Sequence, residues 1–244
     1  ATSNEEYFSY PDVELLFNLA GNNLTLFAGA DGGLRKNNFR ILSTYNPFLV
    51  SELTDIRNSQ YYDFYAGIKG LISGLEYSFQ AGYKPTDNLA LFQVNLDEPW
   101  ARFDILYDTA NIIYFQGSVK GELFPRFNLS GSVVYNIFDT KQQPEAWYLP
   151  KLQANAGVSY LTLEQRLRLR ADVYVTDAVP FEENIAFGEE PNLLMDVSLG
   201  TDFFFTENFG VFLQLNNLAA NRYRRWYNYP TYGLNVLGGI TARF

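Results

Sequence analysis

Tyr232-Gly-Leu-Asn-Val-Leu-Gly-Gly-Ile-Thr-Ala-Arg-Phe244 decides how the whole chain reads. From Leu234 onward every second residue is apolar or small: Leu234, Val236, Gly238, Ile240, Ala242 and Phe244. Asn235, Leu237, Gly239, Thr241 and Arg243 stand between them. A period of two is a strand with one greasy face and one mostly polar face. The stretch closes on an aromatic ring. Terminal residues of soluble domains usually fray, whereas a membrane-spanning β-barrel seats such a ring in the aromatic girdle at the membrane–water interface.

The same alternation runs upstream. One face collects Val13, Leu15, Phe17 and Leu19; then Leu24, Leu26 and Ala28 within Leu24–Asp31; then Tyr62, Phe64, Ala66, Ile68 and Ile72 within Tyr61–Ile72. Leu75–Lys84 follows after a tight Ser73-Gly74 turn, with Tyr77, Phe79, Ala81 and Tyr83 on the greasy side. Ala101–Leu123 reads as one long strand bulged near Thr109-Ala110-Asn111, and Phe127–Phe138, Leu149–Leu161, Gln165–Asp177, Leu193–Phe205 and Phe209–Asn217 complete the set. Gln165–Asp177 is the cleanest: Leu167, Leu169, Ala171, Val173 and Val175 face one way, and Arg166, Arg168, Arg170, Asp172, Tyr174 and Thr176 the other. No amphipathic helix and no heptad pattern emerges.

Connections alternate short and long. Outer-membrane barrels have that rhythm, with short periplasmic turns and long extracellular loops, and a soluble sandwich has no reason for it. The expected fold is therefore an all-β antiparallel transmembrane β-barrel of about 11–12 strands, a single unit over residues 1–244 without a plug domain. Eleven strands put all the short turns on one side. The last strand then descends to the periplasm, and the first strand descends too. Complete single-chain bacterial barrels have even counts, so the expectation is the C-terminal part of a larger barrel, for which 22 strands is the plugged size class.

Composition excludes other classes. There is no Cys and no His, so disulfides, thiolate metal sites and the usual general base are gone. No paired carboxylates stand out, and the chain is read as a non-enzyme without a cofactor. The formal net charge of −9 argues against nucleic acid. Mean hydropathy is −0.16, and no apolar run reaches the roughly 18 residues of a membrane helix. Ala1-Thr-Ser-Asn-Glu-Glu lacks the basic start and apolar core of a signal peptide, as expected of a mature chain or part of one.

The closing strand, with Val236, Ile240 and Phe244, resembles the signal by which outer-membrane barrels are recognised for insertion. That resemblance implies the barrel-assembly machinery and outer-membrane lipid as partners. The tail Leu215–Gly233 resembles the C-terminal region of TonB-dependent receptors. There an Asn-Leu element leads through Tyr and a Tyr-Pro to a Gly before the closing strand. The matching residues are Asn217, Leu218, Tyr223, Tyr229, Pro230, Gly233 and Phe244. The family usually has Arg after that Gly, where this chain has Leu234. Ala28–Pro47 and Tyr61–Phe92 look like receptor-like barrels from Bacteroidota. The resemblance implies a bacterial outer-membrane location, energised nutrient uptake, and a missing N-terminal barrel and plug portion. Two alternatives stay open: a structural or adhesive barrel subunit of an envelope complex with other envelope subunits, and a complete twelve-stranded porin.

Candidate site residues fall into three groups. Arg166, Arg168, Arg170 and Asp172 face the lumen, with Asp202 on the next strand; they read as an anion path or plug dock, or as cross-strand pairing. Tyr223, Trp226, Tyr227, Tyr229 and Tyr232 read as a stacking surface at the outer mouth, or as interfacial girdle. Glu182, Glu183, Glu189 and Glu190 offer oxygens to Ca²⁺, yet match no calcium-loop spacing and read more simply as a solvated acidic loop.

Overall fold

A computed structural model describes residues 2–3, 6–53, 55–95, 102–177, 193–222 and 224–242. A small pairing of β1 (Thr2–Ser3) with β2 (Glu6–Tyr7) precedes the main sheet. The sheet begins with β3 (Asp12–Asn18) and β4 (Thr25–Arg35). It continues, past helix α1 (Phe39–Tyr45), with β5 (Ser59–Ile72), β6 (Leu75–Asn95) and β7 (Arg102–Phe124). Next come β8 (Phe127–Thr140), β9 (Leu152–Thr162), β10 (Leu167–Thr176), β11 (Leu194–Phe204) and β12 (Phe209–Asn216). A minor hairpin of β13 (Arg224–Trp226) and β14 (Tyr229–Pro230) intervenes before β15 (Asn235–Ala242). Strands β3 to β12 lie side by side in chain order, β15 joins at β12, and every pair is antiparallel: eleven strands in one sheet.

Register explains why this sequence builds this sheet. One cross-strand line reads Phe17, Leu26, Ile68, Phe79, Gly117, Val133, Ala154, Val175 and Met195. Another reads Leu129, Val158, Ala171, Leu199, Leu215 and Val236. A slip of one residue at any strand would turn its apolar row to the other side. The register shifts only at two irregularities near the sheet's rims, after Thr86 and after Glu122, so between them the greasy rows fuse into one continuous face. Much of that face is exposed, including Phe64, Phe79, Phe115, Val133, Leu169, Leu199, Leu213 and Ile240. Charge enters these rows at their long-loop end, at Asp139, bonded by Asn111 and Lys141, and at Asp87, bonded by Thr109. Such a face does not fill a dry two-layer core. It suits lipid, where a midplane charge costs about 2–4 kcal/mol.

All five short turns lie at one rim. Two of them, Ser73-Gly74 and Pro125-Arg126, are two residues long, and the φ values of 51° and 86° at Ser73 and Gly74 are those of a two-residue hairpin turn. The edges β3 and β15 each have a single partner. With an odd number of antiparallel strands these edges run in the same direction, so they cannot join each other without a parallel seam. Among the described residues the sheet is therefore open, with eleven strands and two edges that each lack a second partner.

Several expectations need correction. Residues 85–95, expected as part of a long connection after Leu75–Lys84, are strand, Asp87 and Asn88 included. Those residues form a bulge instead: Thr86 faces Ala110 and Leu89 faces Asp108, so Asp87 and Asn88 together oppose Thr109. Proline is tolerated at bulges, and an extra residue there takes a special φ, 52° at Asn88. The irregularity expected near Thr109 therefore sits on the partner strand. β4 runs on to Arg35, four residues past Asp31, where Gly32 and Gly33 had suggested an exit. Helix α1 was not expected. It is two turns long and buries only Leu42, so it leaves no amphipathic period to detect; the Asn38 side chain caps it by accepting from Ile41 N–H at 2.9 Å.

Candidate ligand-binding face and rim cleft

The second face of the sheet carries polar and aromatic side chains. On β4 to β7 it pairs rings with glycines: Phe27 with Gly67, Tyr65 with Gly29, and Tyr114 with Gly82. A Cβ on Gly82 would meet the Tyr114 ring at 2.4 Å, so the ring lies directly on bare backbone. Around Tyr114 the polar groups are joined. Its hydroxyl donates to Asp63 at 3.0 Å and accepts from Gln80 Nε2 at 2.6 Å. Lys84 Nζ stands 2.7 Å from the same Asp63, and about equally far from the Tyr61 and Tyr114 ring centres, at 5.3 and 5.5 Å. One lysine thus neutralises a buried carboxylate and covers two aromatic faces.

Toward the long-loop rim β6 and β7 outrun their neighbours. Leu91 and Phe92 point to opposite faces, and both are buried. Loops cover the pair on each side. The resulting core joins Leu42 of α1, Leu49, Phe92, Phe103, Trp147, Tyr148 and Trp226. Trp226 comes from the loop between β12 and β15, at the far edge of the sheet. Its ring packs at 5.3 Å on Phe103, 5.4 Å on Phe92 and 5.1 Å on Tyr148. That loop is held at its root by Asn217, which is buried with φ 51°. Its Nδ2 donates to Asn221 O and Tyr232 O, both at 2.9 Å, and its N–H donates to Asp196 at 3.0 Å. Asp108 does similar work on the opposite side, accepting from Gln142 N–H and Gln143 N–H. Nearby, burial pushes the Tyr107 hydroxyl above its ordinary pKa, and it accepts from Arg57 N–H at 3.0 Å.

Between this core and the sheet lies a cleft of about 480 Å³. Tyr61, Lys84, Thr86 and Ile112 form its floor; Leu42 and Tyr45 of α1, Leu149 and Phe92 close over it; Arg35 stands at its side. The Arg35 guanidinium lies 4.9 Å over the Tyr45 ring.

The residues singled out from sequence are dispersed relative to this cleft. Arg170 bonds Asp202, with Nη2 to Oδ2 at 3.0 Å, although Arg168 is the residue directly opposite Asp202. Arg166 lies in the β9–β10 turn, and Arg166, Arg168 and Asp172 are exposed. Asp172 borders a separate polar hollow with Asn155, Tyr174, Asp196 and Ser198. Trp226, 7% exposed, is a core residue and presents no free ring face for stacking. Tyr229 stacks on Phe48 with centroids 3.4 Å apart, Tyr227 packs against the same core, and Tyr232 is 91% exposed. Val236 and Ile240 are exposed on the apolar face of β15. Tyr223, Phe244, Glu182, Glu183, Glu189 and Glu190 lie outside the described residues. Among the described residues no group of acids is arranged to hold a metal. Sequence reading missed Arg35, Lys84, Tyr61 and Asp63, because they are spread over three strands, β4, β5 and β6, and no local pattern joins them. The one available signal was a lysine and an aspartate on the polar rows of adjacent strands.

No family model matches the chain, and no curated protein matches it. Solved structures do. The copper transporter OprC superposes with a TM-score of 0.66 at 14% identity, over 95% of this chain and 39% of that one. The pyoverdine outer membrane receptor FpvA from Pseudomonas aeruginosa PAO1 gives 0.67 at 14%, over 96% and 36%. The ferric-catecholate import receptor Fiu from K12 E. coli gives 0.67 at 14%, over 95% and 34%. The fold is that of an outer-membrane β-barrel wall. Such a wall, with an outer face whose only acids stand near the long-loop rim among the described residues, belongs in a bacterial outer membrane. The chain spans a little over a third of the length of each of these three structures.

Proposed function

We propose that this chain is the C-terminal eleven-stranded part of a TonB-dependent-receptor-like barrel that takes up a nutrient across the outer membrane. The observation that carries the reading is the open, odd-stranded sheet. Its two edges run in parallel, so an antiparallel closure needs a second set of strands, odd in number. A second copy of this chain inserted in the same sense would meet it in parallel at both seams. Eleven further strands from the same polypeptide would meet it antiparallel at both. The structural neighbours, a copper transporter, an outer membrane receptor and an import receptor, support the same reading. The Asn217-Leu218 element supports it too, since Asn217 here anchors the loop that leads to the closing strand. The likeness to receptors from Bacteroidota rests on sequence alone.

The residues assigned to the lumen fit the same proposal. Arg166, Arg168 and Asp172 keep exposed side chains on the polar face, where a plug would dock, while Arg170 and Asp202 serve the wall. Barrel-assembly machinery reads Val236, Ile240 and Phe244 in this scheme. The test is to isolate the intact gene product from membranes and pass it over the immobilised periplasmic domain of TonB. Retention in the outer-membrane fraction together with TonB capture is expected. An outer-membrane protein that never binds TonB would leave the structural or adhesive subunit as the reading and remove energised uptake.

A further inference from the structure

The rim cleft has a charge pattern of its own. Arg35 and Lys84 line it, and no carboxylate does. Lys84 is already matched by Asp63. Arg35 is exposed, lies over the Tyr45 ring, and its side chain makes no ion pair or hydrogen bond among the described residues. Of the uncharged polar liners, Asn37 and Ser59 are satisfied by each other and by Arg57 O and Asn88 O, Thr86 donates to Lys84 O, and the Tyr61 hydroxyl donates to Asp31. The cleft therefore offers one uncompensated positive charge beside an apolar chamber of Leu34, Leu42, Leu89, Phe92, Ile112 and Leu149. Its volume of about 480 Å³ suits a small organic molecule.

We infer that the cleft binds an amphipathic organic monoanion, its carboxylate-class head on Arg35 and its apolar body under α1. A guanidinium fork matches a carboxylate bidentately, and stacking on Tyr45 holds the fork in place. The two aromatic rings that line the cleft, Tyr61 in its floor and Tyr45 above it, favour a flat body over a branched one. This names a ligand class for the site that the uptake reading leaves open. It depends on that reading only for the cleft's position at an outward-facing rim.

The probe is 1-pyrenebutyrate, titrated by fluorescence anisotropy into the intact protein in lipid nanodiscs and corrected for partition into empty discs. Saturable binding about ten-fold tighter than that of neutral 1-pyrenebutanol is expected. Arg35→Gln removes the difference while leaving pyrenebutanol binding unchanged, and Arg35→Lys restores part of it. Arg35 is exposed, so these variants keep the fold, which unchanged heat-modifiable gel mobility verifies. Equal affinity for the two probes, an unaffected Arg35→Gln, or no saturable binding overturns the inference. No binding by a protein that fractionates with the outer membrane sinks this inference alone. Binding by a freely soluble protein sinks the barrel reading alone.

Discussion

Asn217 and Gly82 show how much one residue can fix. Asn217 satisfies backbone groups at both ends of the loop that delivers Trp226, and it does so in a left-handed conformation that asparagine tolerates well. Asn217→Ala loses those bonds and strains φ, at a cost of about 1–3 kcal/mol. The expected readout is faster trypsin cleavage at Arg222, Arg224 and Arg225 with an intact strand region. Gly82→Val makes the opposite kind of error. The new side chain meets the Tyr114 ring, which must leave Asp63 and Gln80, and overpacking of this type costs about 1–3 kcal/mol. Urea unfolding in micelles measures it, and Gly117→Ala, where the nearest atom to a new Cβ is 3.4 Å away, is the tolerated control. At this scale the sequence said little. Asn217 was legible through a family motif, but nothing around Gly82 announced that a tyrosine lies on it.

Elements were legible where alternation is strict. β5, β8, β10 and β12 fall within a few residues of their expected ends, because each has a clean apolar row and a short turn beside it. β6 was cut short at Pro85, since proline, aspartate and asparagine signal a turn locally and a bulge only when a partner strand is present. Its partner supplies that information from some twenty residues away. The apolar row of β10 gives a direct test. Ala171 lies mid-strand between Val158 and Leu199 on the outer face. Ala171→Arg is expected to destabilise the membrane-inserted protein by about 2–4 kcal/mol. Asp172→Asn, next in sequence and on the polar face, is expected to leave folding into lipid vesicles unchanged. Equal effects would mean that the two faces are not lipid and lumen.

The whole molecule was legible in its fold class and in its short–long rhythm. Its functional centre was not, because the rim core gathers α1, the ends of β6 and β7, the 146–149 segment and Trp226 from distant parts of the chain. No local pattern encodes such a meeting. Trp226→Ala is expected to cost about 3–5 kcal/mol, and the loss belongs to the rim. Hydrogen exchange should rise in the 217–234 loop and at Leu49, Phe92 and Phe103 together, while β8 to β10 keep their protection. A rise confined to the loop would show that the rim is a set of independent loops.

In the barrel we propose, the pairing of rings with glycines bears on the width of the lumen. A ring that lies along its neighbour's bare backbone occupies length on the wall and almost none of the bore. Three such pairs, on β4 to β7, give this stretch of the polar face a smooth aromatic lining. A bulky solute in such a barrel would meet flat rings here, not projecting ones.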